Sequence, residues 1–248
     1  MLIIEPNSPH IIDFIKVSKA FGNKHVLKDV SFAVDKNEIL AVIGPSGVGK
    51  STILKLVSGL IEADDGHIVL SSNKKGMAFQ FGALLNFLTV KENVALPLRK
   101  KTHLSNSEID TKVYYALESV GLTGAENLTP DELSGGMQKR VSFARAVVND
   151  PDIILYDEPT SGLDPMTSSM IINDISHLKK TLPAAGIIVT HDINVIDKAA
   201  DKIIMIYDAK VVYAGTIRDL KTTTNPFADQ FFNGMCDGPM KICVSTGV

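Results

Sequence analysis

The stretch Gly44-Pro45-Ser46-Gly47-Val48-Gly49-Lys50-Ser51 limits what this chain can fold into more than any other. It directly follows the apolar run Ile39-Leu40-Ala41-Val42-Ile43, which reads as a buried strand, and precedes Thr52-Ile53-Leu54-Lys55-Leu56-Val57, whose helical spacing stops at Gly59. A G-x-x-x-x-G-K-[ST] string between a strand and a helix lets backbone N–H groups turn inward around an anion, with the helix N-terminus adding its positive dipole end. On this reading Lys50 sits against the outer phosphates and Ser51 ligates magnesium. The competing reading is a plain glycine-rich turn, which the flanking strand and helix disfavour.

A chain of 248 residues is long enough to bury a sizeable core. Its formal net charge of -3 gives no basic footprint, so nucleic acid is not an expected partner. No apolar run approaches the roughly 18 residues that a membrane-spanning helix needs, and the first residues lack the basic-then-apolar layout of a signal peptide. The expected location is therefore the cytoplasm, with any membrane attachment made through partners. Cys236 and Cys243 fit neither a zinc pattern nor a disulfide framework and read as reduced thiols.

Before Ile11 the chain is polar and contains proline, which reads as a loose arm. Ile11 to Val17 and Val30 to Val34 read as strands, separated by a turn at Phe21-Gly22-Asn23 that presents an aromatic ring or ends a strand with a core Phe. Strands follow at Ile68-Val69-Leu70 and Met77-Ala78-Phe79-Gln80. The texture then turns helical from about Leu84 to Ala146. Thr89 and Glu92 have capping-box spacing before a helix that Pro97 is expected to end; Ser105 with Glu108 and Thr129 with Glu132 repeat the spacing. From Ile153 strand and helix alternate: Ile153-Ile154-Leu155-Tyr156, a helix after Asp164-Pro165, Ile187-Ile188-Val189-Thr190, a helix from about Ile193, then two strands paired across a turn. Such alternation predicts an open, mainly parallel sheet covered by helices, with ligands beyond the carboxyl ends of its strands.

The phosphate loop, Asp157-Glu158 and His191 all follow strands in that sense and can converge. Nucleoside-triphosphate hydrolysis needs a phosphate cradle, a divalent cation and a group that orients water. Asp157 suits the acid that holds magnesium, Glu158 can polarise the attacking water or cap a helix, His191 can donate to the γ-phosphate, and Gln80 can bridge metal and water. Standing alone, His191 and Gln80 would each be read as structural.

At Leu133-Ser134-Gly135-Gly136-Met137-Gln138-Lys139-Arg140 the sequence resembles the signature of ATP-binding-cassette (ABC) ATPases, with further motifs in order over nearly the whole chain. The resemblance implies an α/β P-loop NTPase fold with a mainly parallel core sheet, a small antiparallel β subdomain and an inserted helical subdomain. It implies one ABC ATPase domain over 1–248: a RecA-like core at about 11–83 and 147–221, a helical signature subdomain at about 84–146, and a C-terminal extension at about 222–248. By position, Phe21 matches the adenine-stacking aromatic, Gly44 to Ser51 with Thr52 the Walker A loop, and Gln80 the Q-loop. Ser134, Gly135 and Gly136 match the signature, Asp157 and Glu158 the end of Walker B, Asp164 the D-loop and His191 the switch histidine. The implied ligands are ATP and Mg2+, with Ser51, Gln80 and Asp157 on the metal and Glu158, His191, Gln80 and Lys50 in catalysis. The implied assembly is a homodimer closed over two nucleotides, each lying between one protomer's phosphate loop and the other's signature.

Gln80-Phe81-Gly82-Ala83-Leu84-Leu85, continuing through Leu88 to Leu98, resembles the Q-loop region of Mla/Mce-type phospholipid-transport ATPases, as does the tail Gln230 to Pro239. This branch implies integral membrane permease subunits, a small regulatory subunit, a substrate-binding Mce-type protein, and a place on the cytoplasmic face of the inner membrane. The alternatives are an ABC ATPase of another transport system, such as lipoprotein release or solute uptake, and a soluble non-transport ABC protein. Asn225-Pro226 reads as a helix start that puts Phe227, Phe231 and Met235 on one face, to be covered by the protein's own core, a partner cassette or a regulatory subunit. Phe81 stands where a small residue is usual, and the short stretch from Gly66 to Gln80 predicts a trimmed antiparallel subdomain with Phe21 as the weakest match.

Overall fold

A computed structural model describes residues 1–101 and 103–241, so Cys243 lies outside the described residues. The N-terminal part contains β1 (Leu2–Ile4), β2 (Ile12–Phe21), β3 (Lys24–Val34), β4 (Ile39–Ile43), α1 (Lys50–Ser58), β5 (Asp65–Leu70) and β6 (Lys75–Ala78). Helices α2 (Val90–Lys101), α3 (Asn106–Glu118) and α4 (Gly135–Val147) follow, with a 3-10 turn at Pro130–Glu132 ahead of α4. Then come β7 (Ile153–Asp157), α5 (Pro165–Thr181), β8 (Ala185–Val189), α6 (Ile193–Ala199), β9 (Lys202–Tyr207), β10 (Lys210–Gly215), α7 (Ile217–Lys221) and α8 (Pro226–Phe232).

A 6-stranded sheet runs β10-β9-β4-β8-β7-β6, parallel throughout except for β10, which pairs antiparallel with β9. Every residue of β4 and β8 is buried, as expected of central parallel strands covered on both faces. Alternation along the strands divides the core. Ile153, Leu155, Ile187 and Val189 join α1 on one face, while Ile154, Tyr156 and Ile188 join α2 through α6 on the other. Each fully buried aliphatic side chain contributes roughly 1.5–3 kcal/mol, so these short strands are fixed by tertiary burial.

A 4-stranded sheet, β1-β5-β2-β3, packs beside α1. Here one expectation is corrected. The first residues are not a loose arm: Leu2, Ile3 and Ile4 pair in parallel with Ile68, Val69 and Leu70. Residues 71–74 connect β5 directly to β6, and β1 supplies an edge strand from the start of the chain.

Pro97 does not end its helix; α2 runs through it. A mid-helix proline forfeits one backbone bond and strains the turn at about 3 kcal/mol. That cost is offset by Val90, Val94, Ala95 and Leu98, all 0% exposed, and by Asn93, whose amide donates to the carbonyls of Leu85, Leu88 and Thr89. Thr129 and Glu132 form a capping box on a single 3-10 turn, and the chain then extends at Leu133 before α4 starts. The strand expected to reach Gln80 stops at Ala78.

The tail docks on the protein's own core. Ala228 and Met240 join Met205, Tyr213 and Leu220 in one cluster, and Gln230, 2% exposed, accepts from Met240 N at 2.7 Å and donates to Met240 O at 3.0 Å. A side chain at Gly238, φ 156°, would run into the Gln230 amide, so the turn requires glycine. Because α8 ends at Phe232, Met235 lies beyond the helix face that Phe227 and Phe231 share.

Candidate functional site

The phosphate loop leaves the buried end of β4 and enters α1 through Gly49, the helix N-cap, at φ 108°. Gly44 and Gly47 also have positive φ, 138° and 77°, which turns the intervening N–H groups toward one side. A side chain on Gly49 would collide with Val26 of β3, so the β2–β3 hairpin borders the loop. At the hairpin end Phe21 is 51% exposed, with the Lys19 ammonium 5.5 Å from its ring centre. Of the two sequence readings of Phe21, the presented ring is the one found.

Lys50 folds back over the loop, its Nζ donating to Gly44 O at 2.8 Å and Pro45 O at 2.9 Å. Burial pushes its pKa down, and the nearby Glu158 and Asp157 charges oppose that shift. Ser51 Oγ donates to Asp157 Oδ1 at 2.9 Å, joining α1 to the end of β7. Burial raises the Asp157 carboxyl above its usual range, the Ser51 bond opposes this, and Glu158 adds like-charge repulsion.

Glu158 follows at φ 45°, a left-handed conformation uncommon outside glycine and found at functional sites. Its N–H donates to Val189 O at the end of β8, at 2.9 Å. Just beyond β8, His191 brings Nδ1 to 2.9 Å from Glu158 Oε2, close enough for an ion pair. The approach is not aligned as a hydrogen bond, and Oε2 stays buried with no hydrogen-bond donor. Such an oxygen is costly unless something else uses it, such as water or substrate. Thr160 Oγ1 donates to Asp192 Oδ2 at 3.0 Å, a second tie between the loops after β7 and β8.

Lys50, Ser51, Asp157, Glu158 and His191 thus form one constellation at the carboxyl ends of β4, β7 and β8. Gln80 borders it from beyond β6, with its Nε2 donating to Ser161 Oγ at 3.4 Å rather than reaching Ser51 or Asp157. Ser134 caps α4 by accepting from Met137 N at 3.3 Å. Among the described residues no hydrogen bond or ion pair joins Ser134, Gly135 or Gly136 to the phosphate loop; a side chain on Gly136 would instead strike Thr167. Asp164 caps α5, accepting from Met166 N, Thr167 N and Thr167 Oγ1, which hold its carboxyl below the usual range. Among the described residues no group of three or more His, Cys, Asp and Glu is arranged around a metal position. The candidate metal site is the hydroxyl–carboxylate pair of Ser51 and Asp157, whose hard oxygen donors suit magnesium.

Two basic residues on α4 were missed by the sequence reading. Lys139, 6% exposed, donates to Gln80 O and, at 3.3 Å, to Glu158 O. Arg145 donates to Gly82 O at 2.6 Å and Ala83 O at 2.7 Å, with its guanidinium 6.0 Å from the Phe79 ring centre. Their partners are backbone carbonyls distant in sequence, which no residue pattern displays.

The family model described as "ABC transporter" matches residues 27–161. The chain belongs to the ABC transporter ATPase family. As an ABC ATPase it is 36% identical to the intermembrane phospholipid transport system ATP-binding protein MlaF of Escherichia coli K12, over 96% of this chain and 94% of that protein. It is 38% identical to the chloroplastic protein trigalactosyldiacylglycerol 3 of Arabidopsis thaliana, covering 96% of this chain and 78% of the relative. A probable ribonucleotide transport ATP-binding protein, mkl of Mycobacterium bovis, is 37% identical over 90% of this chain and 67% of its own length. Among solved structures, the dimeric post-hydrolysis state of an ATP-binding cassette bound to ADP and Pi superposes with a TM-score of 0.76 at 32% identity, covering 84% of this ABC ATPase and 99% of that chain. The parallel sheet, the antiparallel sheet and the helical segment between β6 and β7 are those of an ABC cassette.

Proposed function

We propose that this ABC ATPase hydrolyses ATP to energise phospholipid movement between membranes, as a homodimer on separate permease subunits. The observation that carries hydrolysis is Glu158 Oε2: buried, without a hydrogen-bond donor, next to His191 and one residue beyond the Ser51–Asp157 pair. The similarity to MlaF along almost its whole length supports phospholipid as cargo. Among the described residues no helix is long and apolar enough to cross a membrane, so attachment to the cytoplasmic face of the inner membrane falls to the permease. A small regulatory subunit and a substrate-binding Mce-type protein would complete the assembly.

Phe21 offers a face to adenine, and the N–H groups from Gly44 to Ser51 line the triphosphate. Lys50 exchanges its loop carbonyls for phosphate oxygens, a charge-assisted replacement. Ser51 and Asp157, with Gln80 beside them, would hold Mg2+, which would supply positive charge against the phosphates. Glu158 Oε2 accepts a proton from the attacking water, and His191 holds that carboxylate from one side while its exposed ring faces the phosphate. Ser134, Gly135 and Gly136 lie at the N-terminus of α4, where N–H groups and the helix dipole favour an anion. That anion would be the γ-phosphate on the other protomer, a reading supported by the dimeric cassette structure that this chain resembles.

Glu158→Gln should keep ATP binding, lose turnover by roughly 10²–10⁴-fold and trap a closed dimer, measured by nucleotide binding, phosphate release and light scattering. Near-normal hydrolysis by that variant would sink Glu158 as the base. The mkl relative favours a second cargo class, ribonucleotides. Purified with its permease, the complex should carry phospholipid; a complex free of lipid that moves ribonucleotide across a vesicle membrane would replace the first reading.

A further inference from the structure

An ammonium buried among helices is expensive unless its protons are used, and an uncharged side chain of similar length would fill the space at lower cost. Lys139 nonetheless lies 6% exposed in α4, where its neighbours along the helix include the core residues Val141 and Phe143. Its hydrogen bonds go to two carbonyls that belong to different elements: Gln80, in the turn after β6, and Glu158, in the turn after β7. Neither acceptor is a carboxylate, so this is not an ordinary ion pair. Glu158 belongs to the reaction centre, and Gln80 borders it.

The Glu158 contact bears on backbone conformation. With φ at 45° that residue occupies a sparsely populated left-handed region, and it stays there only if its surroundings hold it. Its N–H is held by Val189 O, and its carbonyl by Ser161 N at 3.2 Å and Lys139 Nζ at 3.3 Å. The Val189 contact continues the β7–β8 pairing one residue past β7, and the Ser161 contact closes the turn in which Glu158 lies. The Lys139 contact arrives from another element, a helix whose cap is Ser134 and whose Arg145 also grips Gly82 and Ala83, so that α4 and the turn after β6 form one body.

We propose that Lys139 is a positioning residue for hydrolysis: its ammonium makes the pose of Glu158 depend on the docking of α4. The inference rests on Glu158 as the base. When α4 is seated, Lys139 holds Gln80 and Glu158 in register. When α4 moves away, Glu158 loses one of its three backbone hydrogen bonds, the one that comes from outside its own strand end and turn, and its carboxylate loses its aim. Turnover is thereby linked to the position of the helix that carries Ser134.

The test compares the full chain with Lys139→Met, Lys139→Arg, Glu158→Gln and the double variant Lys139→Met/Glu158→Gln, measuring steady-state hydrolysis, ATP binding and thermal melting. Lys139→Met should lower kcat by on the order of 10- to 100-fold with the KM for ATP and ATP binding within about twofold, and Lys139→Arg should restore most of kcat. In the Glu158→Gln background the Lys139→Met change should cause no further fall in residual turnover, because the lysine acts through that carboxylate. The proposal is overturned by an unchanged kcat in Lys139→Met, by a parallel loss of ATP binding, by an additional loss in the double variant, or by failure of both Lys139 variants to fold, which would make the lysine purely structural. Should Glu158→Gln itself turn over normally, the assignment of the base falls first, and the behaviour of Lys139→Met on its own then says whether the lysine matters by another route.

Discussion

Asp157 holds a poor position for stability and a good one for function. Burial raises its carboxyl pKa above the value of 3.8 it has in the unfolded chain. The native state therefore disfavours the ionised form, and the penalty is absent below the unfolded pKa, grows as pH rises through the interval up to the folded pKa, and is complete above it. Asp157→Asn should accordingly raise the melting temperature at neutral pH, lose that advantage below about pH 4, and abolish hydrolysis; a melting temperature unchanged or lowered at pH 7 would contradict the sign. Residues of this kind were legible in the sequence because each has a fixed neighbour along the chain. Lys50 and Ser51 follow a glycine string, and Asp157 and Glu158 follow four apolar residues. Lys139 was not legible, since what defines it is the carbonyls of Gln80 and Glu158, far away in sequence and identical in kind to every other carbonyl.

Among elements, those with strong caps were readable and those decided by packing were not. Ser105 with Glu108 forms the capping box its spacing predicts. Pro97 misled because local propensity was overridden by apolar residues at three- and four-residue spacing that bury one face of α2. Pro97→Ala should restore a backbone bond to Asn93 and stabilise the protein by about 1–3 kcal/mol, read as a shift in denaturant midpoint; destabilisation would show that the ring itself packs. The first strand escaped notice because three residues are too few to show a period. At the other end of the chain, Gln230 is the element's fastener. Gln230→Ala leaves the N–H and C=O of Met240 buried without partners, and should cost about 2–5 kcal/mol and open residues 235–241 to limited proteolysis. Unchanged protease resistance would mean that the apolar contacts of Ala228 and Met240 hold the tail alone.

For the whole molecule, the arrangement of sites predicts a genetic test. Among the described residues no hydrogen bond joins the phosphate loop to the Ser134 turn, and in the proposed homodimer each nucleotide would need two copies. Lys50→Ala and Ser134→Arg should each be inactive alone. Mixed in equal amounts they should regain about a quarter of wild-type hydrolysis, because half of the dimers are mixed and each of those has one intact site of two; no recovery on mixing would argue for a site complete within one chain. The gross layout was legible from alternation of strand and helix, but the layering of the core was not. Among the described residues, the helices between β6 and β7 share one core with the sheet. Val94, Leu117 and Phe143 belong to the same apolar cluster as Ile154, Tyr156, Ile171 and Ile188, and the Phe143 and Tyr156 rings meet edge to face at 5.7 Å. A chimera that transplants residues 84–146 into another cassette would therefore leave half a seam behind. The transplant should express as folded protein only when the recipient also receives the matching residues of β7 and α5, which makes the boundary of the exchangeable unit a face of the sheet and not a pair of positions along the chain.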